Sequence, residues 1–238
     1  MYIVLEDNCK IYYEQIDSGQ RDTLVFLHGN MEDSSYFRKQ KEYFNKRYNL
    51  IFIDTRGHGY SEFGNKEQKY DLRLLAKDLQ EVLERLKIAS YVLIGFSDGA
   101  NIAMEFAVVH SGKRLKGIIL VGGNLRPWGL KLKVYLEVLK LYFMSLREVE
   151  KRKITALMLK SADISYKDLN KIIAPALVLV GEYDMIRYQE TKKISNNLLN
   201  SRLMIIKSGN HFVLYEKSSE ANSLIEDYLN DILIEKEE

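Results

Sequence analysis

The chain has 238 residues, 46% of them hydrophobic, which suits one large domain with a substantial buried core. Lysine and arginine number 35 against 33 aspartate and glutamate; the net charge of +2 supplies no global field, and no nucleic-acid partner is expected. The single cysteine, Cys9, can form neither an internal disulfide nor a zinc site, and no window approaches roughly eighteen consecutive apolar residues, so the expectation is a soluble, cytoplasmic protein without stable membrane insertion.

In chain order, "YIVLE" and "KIYYEQI" read as a hairpin joined across the turn-prone pair Asp7 and Asn8. From there strands and helices alternate. "TLVFLHG" is a buried strand, residues 33–47 a helix, "NLIFIDT" a strand, and 70–87 a helix with Leu72, Leu75, Leu79, Val82, Leu83 and Leu86 at helical spacing. "YVLIGF" is the next strand, followed by a small-residue helix from Asp98 to His110 and the strand "LKGIILVGG". Later come "PALVLVGEYD" and "RLMIIKSGNH" as strands, with helices around 188–199 and 217–233. Continuous apolar runs alternating with helices imply a mostly parallel sheet covered on both faces, with function gathered at the carboxyl ends of its strands.

About fifty residues separate "ILVGG" from "PALVLV", where a short loop and one helix would suffice. An inserted helical cap is the natural reading. Its first helix, "LKLKVYLEVLKLYFMSLREVEKRK", sets Leu132, Leu136, Leu139, Phe143 and Leu146 on one stripe with lysines and arginines around the rest. That basic face reads as solvated, with an anionic substrate or lipid surface as the alternative. The terminal "EKEE" reads as a frayed tail.

"GFSDGA" has the spacing G-x-S-x-G between a strand and a helix, the context in which that motif presents a nucleophile. Gly95 and Gly99 let the backbone and the following helix close together, and Ser97 accepts a strained conformation that lifts its hydroxyl above the sheet. A helix start favours developing negative charge there. A serine hydroxyl needs a base and a group to orient that base. Of the four histidines only His211, in "SGNHF", directly follows a late strand. Asp184, in "VGEYDMI", stands at the preceding strand exit, and the order Ser, Asp, His is the one this architecture uses. Glu182 remains an alternative, two residues earlier on the same face of an extended strand. Asp54, beside Arg56, reads as a structural salt bridge, His28 and His58 as loop-shaping residues, and His110 as a solvated helix end.

Taken together, "FLHGN", "DTRGHGYS", "GFSDGA", "LVGEYD", "GNHF" and the amino-terminal hairpin make the whole chain resemble an α/β-hydrolase fold protein. The resemblance implies a three-layer α/β/α sandwich, with a mostly parallel eight-stranded sheet and a helical cap at residues 125–170 in one domain. It further implies an oxyanion hole made by the backbone N–H groups of Asn30 and Asp98, and no cofactor or metal. The serine argues against the dehalogenases and epoxide hydrolases of the family, which use an aspartate nucleophile. The expected activity is hydrolysis of an ester or similar activated carbonyl in a small, partly apolar molecule. A carbon–carbon bond hydrolase, an acyltransferase or thioesterase, and a ligand-binding sensor remain open alternatives. Trp128, the only tryptophan, either lines a substrate pocket or anchors the cap. Oligomeric state is not readable.

Overall fold

The computed structural model describes residues 1–110 and 112–233. The tail at Glu235 to Glu238 lies outside them. A first strand, β1 (Tyr2–Val4), turns into β2 (Lys10–Ile16) through Asn8, whose φ of 65° lies in the left-handed region that asparagine tolerates. Then β3 (Thr23–Leu27) leads through a 3₁₀ turn at Ser34–Phe37 into α1 (Arg38–Phe44), so the helix expected over 33–47 is shorter and begins with a tighter turn. There the Asp33 carboxylate accepts the Ser35 N–H and closes the turn before the α-helix can start.

β4 (Asn49–Ile53) follows, then α2 (Leu72–Arg85), whose first turn is capped by Asp71 accepting the Leu74 N–H. The centre of the molecule is β5 (Tyr91–Phe96), α3 (Asp98–His110) and β6 (Leu115–Val121). Two helices, α4 (Leu132–Met144) and α5 (Val149–Leu157), occupy the stretch expected to form the cap. β7 (Ala176–Gly181), α6 (Tyr188–Asn197), β8 (Ser201–Ile206), α7 (Val213–Glu216) and α8 (Ser218–Leu233) complete the chain.

The eight strands form one sheet in the order β1-β2-β4-β3-β5-β6-β7-β8. β2 runs antiparallel to β1 and β4, and β3 through β8 are parallel. After β3 the chain steps outward to β4, then crosses back to place β5 on the other side of β3. That reversal makes the carboxyl ends of β3 and β5 a switch point, where a crevice opens between loops leaving in opposite directions. Strand alternation sorts the core into two layers. Val25, Leu27, Leu93, Ile118 and Leu120 join residues of α2 and α3, whereas Leu24, Phe26, Val92, Ile94 and Ile119 join Phe44 of α1 and Ile225 of α8. The leucine stripe of α2 is buried as its periodicity requires.

Two expectations are corrected here. The first cap helix is not continuous. α4 ends at Ser145, whose φ of −91° and ψ of 13° leave the helical region and whose N–H is shared between the Leu141 and Tyr142 carbonyls, before α5 begins. The basic face of α4 is also not purely cationic: Leu132, Leu136 and Phe143 share the solvent side with its lysines, and Val138 is the residue buried underneath.

Asp54 makes no bridge to arginine. Its carboxylate accepts the Ser34 and Tyr60 N–H groups at 2.8 and 2.9 Å, clamping the loop after β4 to the loop after β3. The buried cation of this loop, Arg56, instead forks onto Asp78 of α2 at 2.7 and 2.8 Å and pairs with Asp7 at 2.8 Å. Replacing Arg56 by Met leaves the Asp78 carboxylate buried without its cation. The expected cost is about 3 to 5 kcal/mol of stability in urea denaturation, with Arg56→Lys losing a smaller part. A loss below about 1 kcal/mol would show that the pair is not the desolvated lock described.

Candidate active site

The turn between β5 and α3 consists of Ser97 alone, at a φ of 53° that a residue with a side chain rarely adopts. The flanking glycines are what make it fit. A Cβ at Gly95 would lie 2.3 Å from the Gly99 carbonyl oxygen, and one at Gly99 only 2.0 Å from that of Leu27. The Ser97 N–H donates to the Val121 carbonyl at 2.8 Å, which ties the turn to the end of β6. Ser97 itself is half-buried.

From the loop after β8, His211 donates through Nδ1 to Asp184 Oδ1 at 2.8 Å. Asp184 lies in the loop after β7, and the same oxygen accepts the Ile186 N–H at 2.8 Å. With Nδ1–H committed to the carboxylate, the lone pair of the ring is on Nε2. Both side chains are buried. Gly122, next to Val121, shows how close this pair comes to the serine: a Cβ there would sit 2.8 Å from His211 Cε1 and 3.4 Å from Asp184 Oδ2. The Phe96 ring, beside Ser97 in the chain, lies 4.9 Å from the imidazole between centroids. Ser97, His211 and Asp184 thus share one small region at the carboxyl ends of β5, β7 and β8. Glu182 does not join them. It is exposed, and its carboxylate accepts the Ser208 N–H at 2.8 Å on another side of the loop.

Asn30 and Asp98 meet through their side chains, a contact sequence reasoning missed by assigning both a main-chain role. Asn30 Nδ2 donates to Asp98 Oδ2 at 2.8 Å and to the Ile154 carbonyl of α5 at 2.9 Å. Asn101 Nδ2 donates to the other Asp98 oxygen at 3.1 Å, and Asn101 Oδ1 accepts the Asn124 N–H at 2.8 Å. Burial pushes the Asp98 carboxyl up, opposed by the two amide hydrogen bonds. An aspartate directly after the elbow serine with an asparagine one turn further along the same helix was the available signal.

The loop after β3 also brings two unanticipated residues to the site. The Tyr36 ring stacks on Phe96 at 4.4 Å, placing an aromatic layer behind the imidazole. Glu32 is half-buried in the same loop, and burial together with nearby Asp33 pushes its carboxyl up to about 7. Both fall in or beside a stretch whose pattern reads only as an amphipathic helix.

His28 and His58 shape loops, as their positions suggest. His28 Nε2 accepts the Thr55 N–H at 2.9 Å while Nδ1 donates to the Gly29 carbonyl at 2.8 Å, and burial holds its pKa down near 4. Trp128 is 64% exposed and therefore does not anchor the cap. It walls a cavity of about 410 Å³ with Leu130, Leu132, Tyr135 and Arg187; Ser97, Asp184 and His211 are not among its lining residues.

A family model for the alpha/beta hydrolase fold matches residues 22–154. The chain is similar to the AB hydrolase superfamily protein YisY of Bacillus subtilis, at 25% identity over 96% of this chain and 98% of that protein. Among solved structures it is similar to an esterase from Exiguobacterium antarcticum, with a TM-score of 0.83, 23% identity and coverage of 96% and 98%. It is also similar to the enol-lactonase from Burkholderia xenovorans, with a TM-score of 0.79, 19% identity and coverage of 97% and 100%. At these identities the structural likeness establishes the fold.

Because the folded-state pKa of Glu32 is raised from 4.5 to about 7, its contribution to stability is complete below the lower value and is lost as pH rises through the higher one. Glu32→Gln removes that dependence. Between pH 4 and pH 8 the variant should gain about 1 to 2 kcal/mol relative to the parent protein in urea denaturation, a figure reduced for partial solvent screening. Parallel stability profiles for the two proteins would contradict the placement of this carboxyl.

Proposed function

Since the chain belongs to the alpha/beta hydrolase fold family, we propose that it is a serine hydrolase that cleaves an ester or similar activated carbonyl through an acyl-enzyme, with Ser97 as nucleophile, His211 as base and Asp184 as its orienting partner. The observation that carries this reading is the strained Ser97 turn together with the buried His211–Asp184 hydrogen bond, which the Phe96 ring and Gly122 bring to the same strand ends. Ser208 shares the left-handed φ, at 54°, but only Ser97 stands between two glycines whose replacement would drive a Cβ into backbone, at 2.3 Å for Gly95 and 2.0 Å for Gly99.

The chemistry follows from the proton positions. Ser97 Oγ attacks the substrate carbonyl carbon while its proton passes to His211 Nε2; Asp184 stabilises the imidazolium through Nδ1. The oxyanion that forms meets the N–H groups of Asn30 and Asp98, two donors whose individual loss typically costs about 3 to 4 kcal/mol of transition-state stabilisation. His211 then returns the proton to the leaving alcohol as the carbon–oxygen bond breaks. Water, deprotonated by the same nitrogen, attacks the acyl-enzyme, and the proton goes back to Ser97 as the acid departs.

The aromatic rings of Tyr36, Phe96 and Phe212 around the imidazole favour a partly apolar substrate. Hydrolases acting on esters and lactones among the structural relatives support the same class. Trp128 belongs to a neighbouring cavity, so its place in the substrate pocket would depend on a substrate long enough to reach it.

Incubation of the folded protein with a fluorophosphonate should give a covalent adduct on Ser97, located by peptide mass spectrometry, and none in Ser97→Ala. With a short-chain aryl ester, Asp184→Asn should lower kcat by roughly 10³- to 10⁴-fold, while Glu182→Gln stays near the parent value. No adduct on Ser97, or a crippled Glu182 variant beside an active Asp184 variant, would overturn the assignment.

A further inference from the structure

The outer face of the cap carries an arrangement that the hydrolytic reading does not use. On α4, Leu132, Leu136 and Phe143 recur at helical spacing along one row, and Lys133 and Lys140 run along the adjacent row with the exposed Glu137 between them. All five are exposed, together with Met144 just beyond them. Leu132 is 63% and Phe143 58% exposed. Among the described residues, Lys131, Lys133, Lys140 and Arg147 form no ion pair, as the salt bridges of this region involve Lys151 and Glu150 instead.

Charge is distributed unevenly to match. Residues 126–160 hold nine Lys or Arg against three Glu, a surplus of six on a chain whose net charge is +2, so the remainder is net negative. Trp128 stands at the foot of the same face, and with Leu132 and Tyr135 it walls the cavity of about 410 Å³ that has Arg187 on its lining. Exposed leucine, phenylalanine and tryptophan flanked by cations that can reach past them is the chemistry of a helix lying in a lipid interface.

We propose that the outer face of α4, with Trp128, docks on an anionic lipid surface. The apolar row enters the headgroup boundary, the lysines meet anionic headgroups, and the negative body is held away, which sets one orientation. Charge complementarity selects this occupant over a second copy of the chain. A two-fold contact across this face would bring together two copies of a segment that each carry a surplus of six positive charges. The proposal stands independently of the catalytic assignment, since none of its residues belongs to the Ser97 site.

The test is co-flotation of the full chain with vesicles of equimolar phosphatidylglycerol and phosphatidylcholine, against vesicles of phosphatidylcholine alone. The expected result is partitioning onto the anionic vesicles that weakens as salt is raised and is equal in Ser97→Ala. Lys133→Ala/Lys140→Ala should lower that partitioning roughly thirtyfold, and Leu136→Ser/Phe143→Ser roughly tenfold or more, with the thermal midpoints of both variants unchanged. Three results would overturn the proposal: no partitioning onto anionic vesicles, equal partitioning of all variants, or a dimer in sedimentation velocity that Leu136→Ser/Phe143→Ser abolishes.

Discussion

A left-handed residue with a side chain costs on the order of 1 to 3 kcal/mol, and Ser97 keeps that conformation because three backbones leave it nowhere else to go. The end of β3 closes on Gly99, the first turn of α3 closes on Gly95, and the end of β6 holds the Ser97 N–H. These approaches are features of a sheet in which β5 lies between β3 and β6, and no local sequence preference could supply them. The sheet order therefore comes first in the physics. Once β5 is central, its exit must turn sharply into a covering helix, and the residue at that turn is displayed at the switch point beside the loop from β3.

The loops around the turn are held by a short list of polar contacts rather than by packing. Asp54 clamps the loops after β3 and β4 through two backbone N–H groups, and Arg56 fastens the second of these to α2. Asp98 does the equivalent work nearer the serine, joining Asn30 and Asn101, while the Asn30 amide also reaches the cap at Ile154. Asp54 and Asp98 are each a buried acceptor facing two donors, and Arg56 is a buried donor facing two carboxylates, so deleting one partner leaves an uncompensated group in a low-dielectric region. Precision at the site comes from that penalty as much as from attraction.

The strand-helix alternation, the parallel sheet, the elbow and the pairing of His211 with Asp184 were legible in the sequence because each has a local signature at a strand end. Glu182 could not be separated from Asp184 on spacing alone; the difference lies in which way the loop after β7 turns, and only the fold decides that. The roles of Asp54 and Asp98 are hidden for a related reason: a carboxylate accepting backbone N–H groups, as Asp54 does, or side-chain amides, as Asp98 does, looks in sequence like any carboxylate near a turn. The break at Ser145 interrupts an otherwise strong helical pattern at a backbone conformation that periodicity does not report. The outward direction of Leu132, Leu136 and Phe143 was equally hidden, since periodicity reports that residues share a face and not which neighbour that face meets.

The site's parts are spread unevenly along the chain. Ser97 lies nearer the middle of the sequence, whereas Asp184 and His211 stand in the loops after the last two strands, at the far edge of the sheet from the hairpin. On the proposed assignment, the serine turn needs only β3, β5, α3 and β6, whereas its base and the partner of that base come from the last two loops of the sheet, so the site is complete only when the whole sheet is.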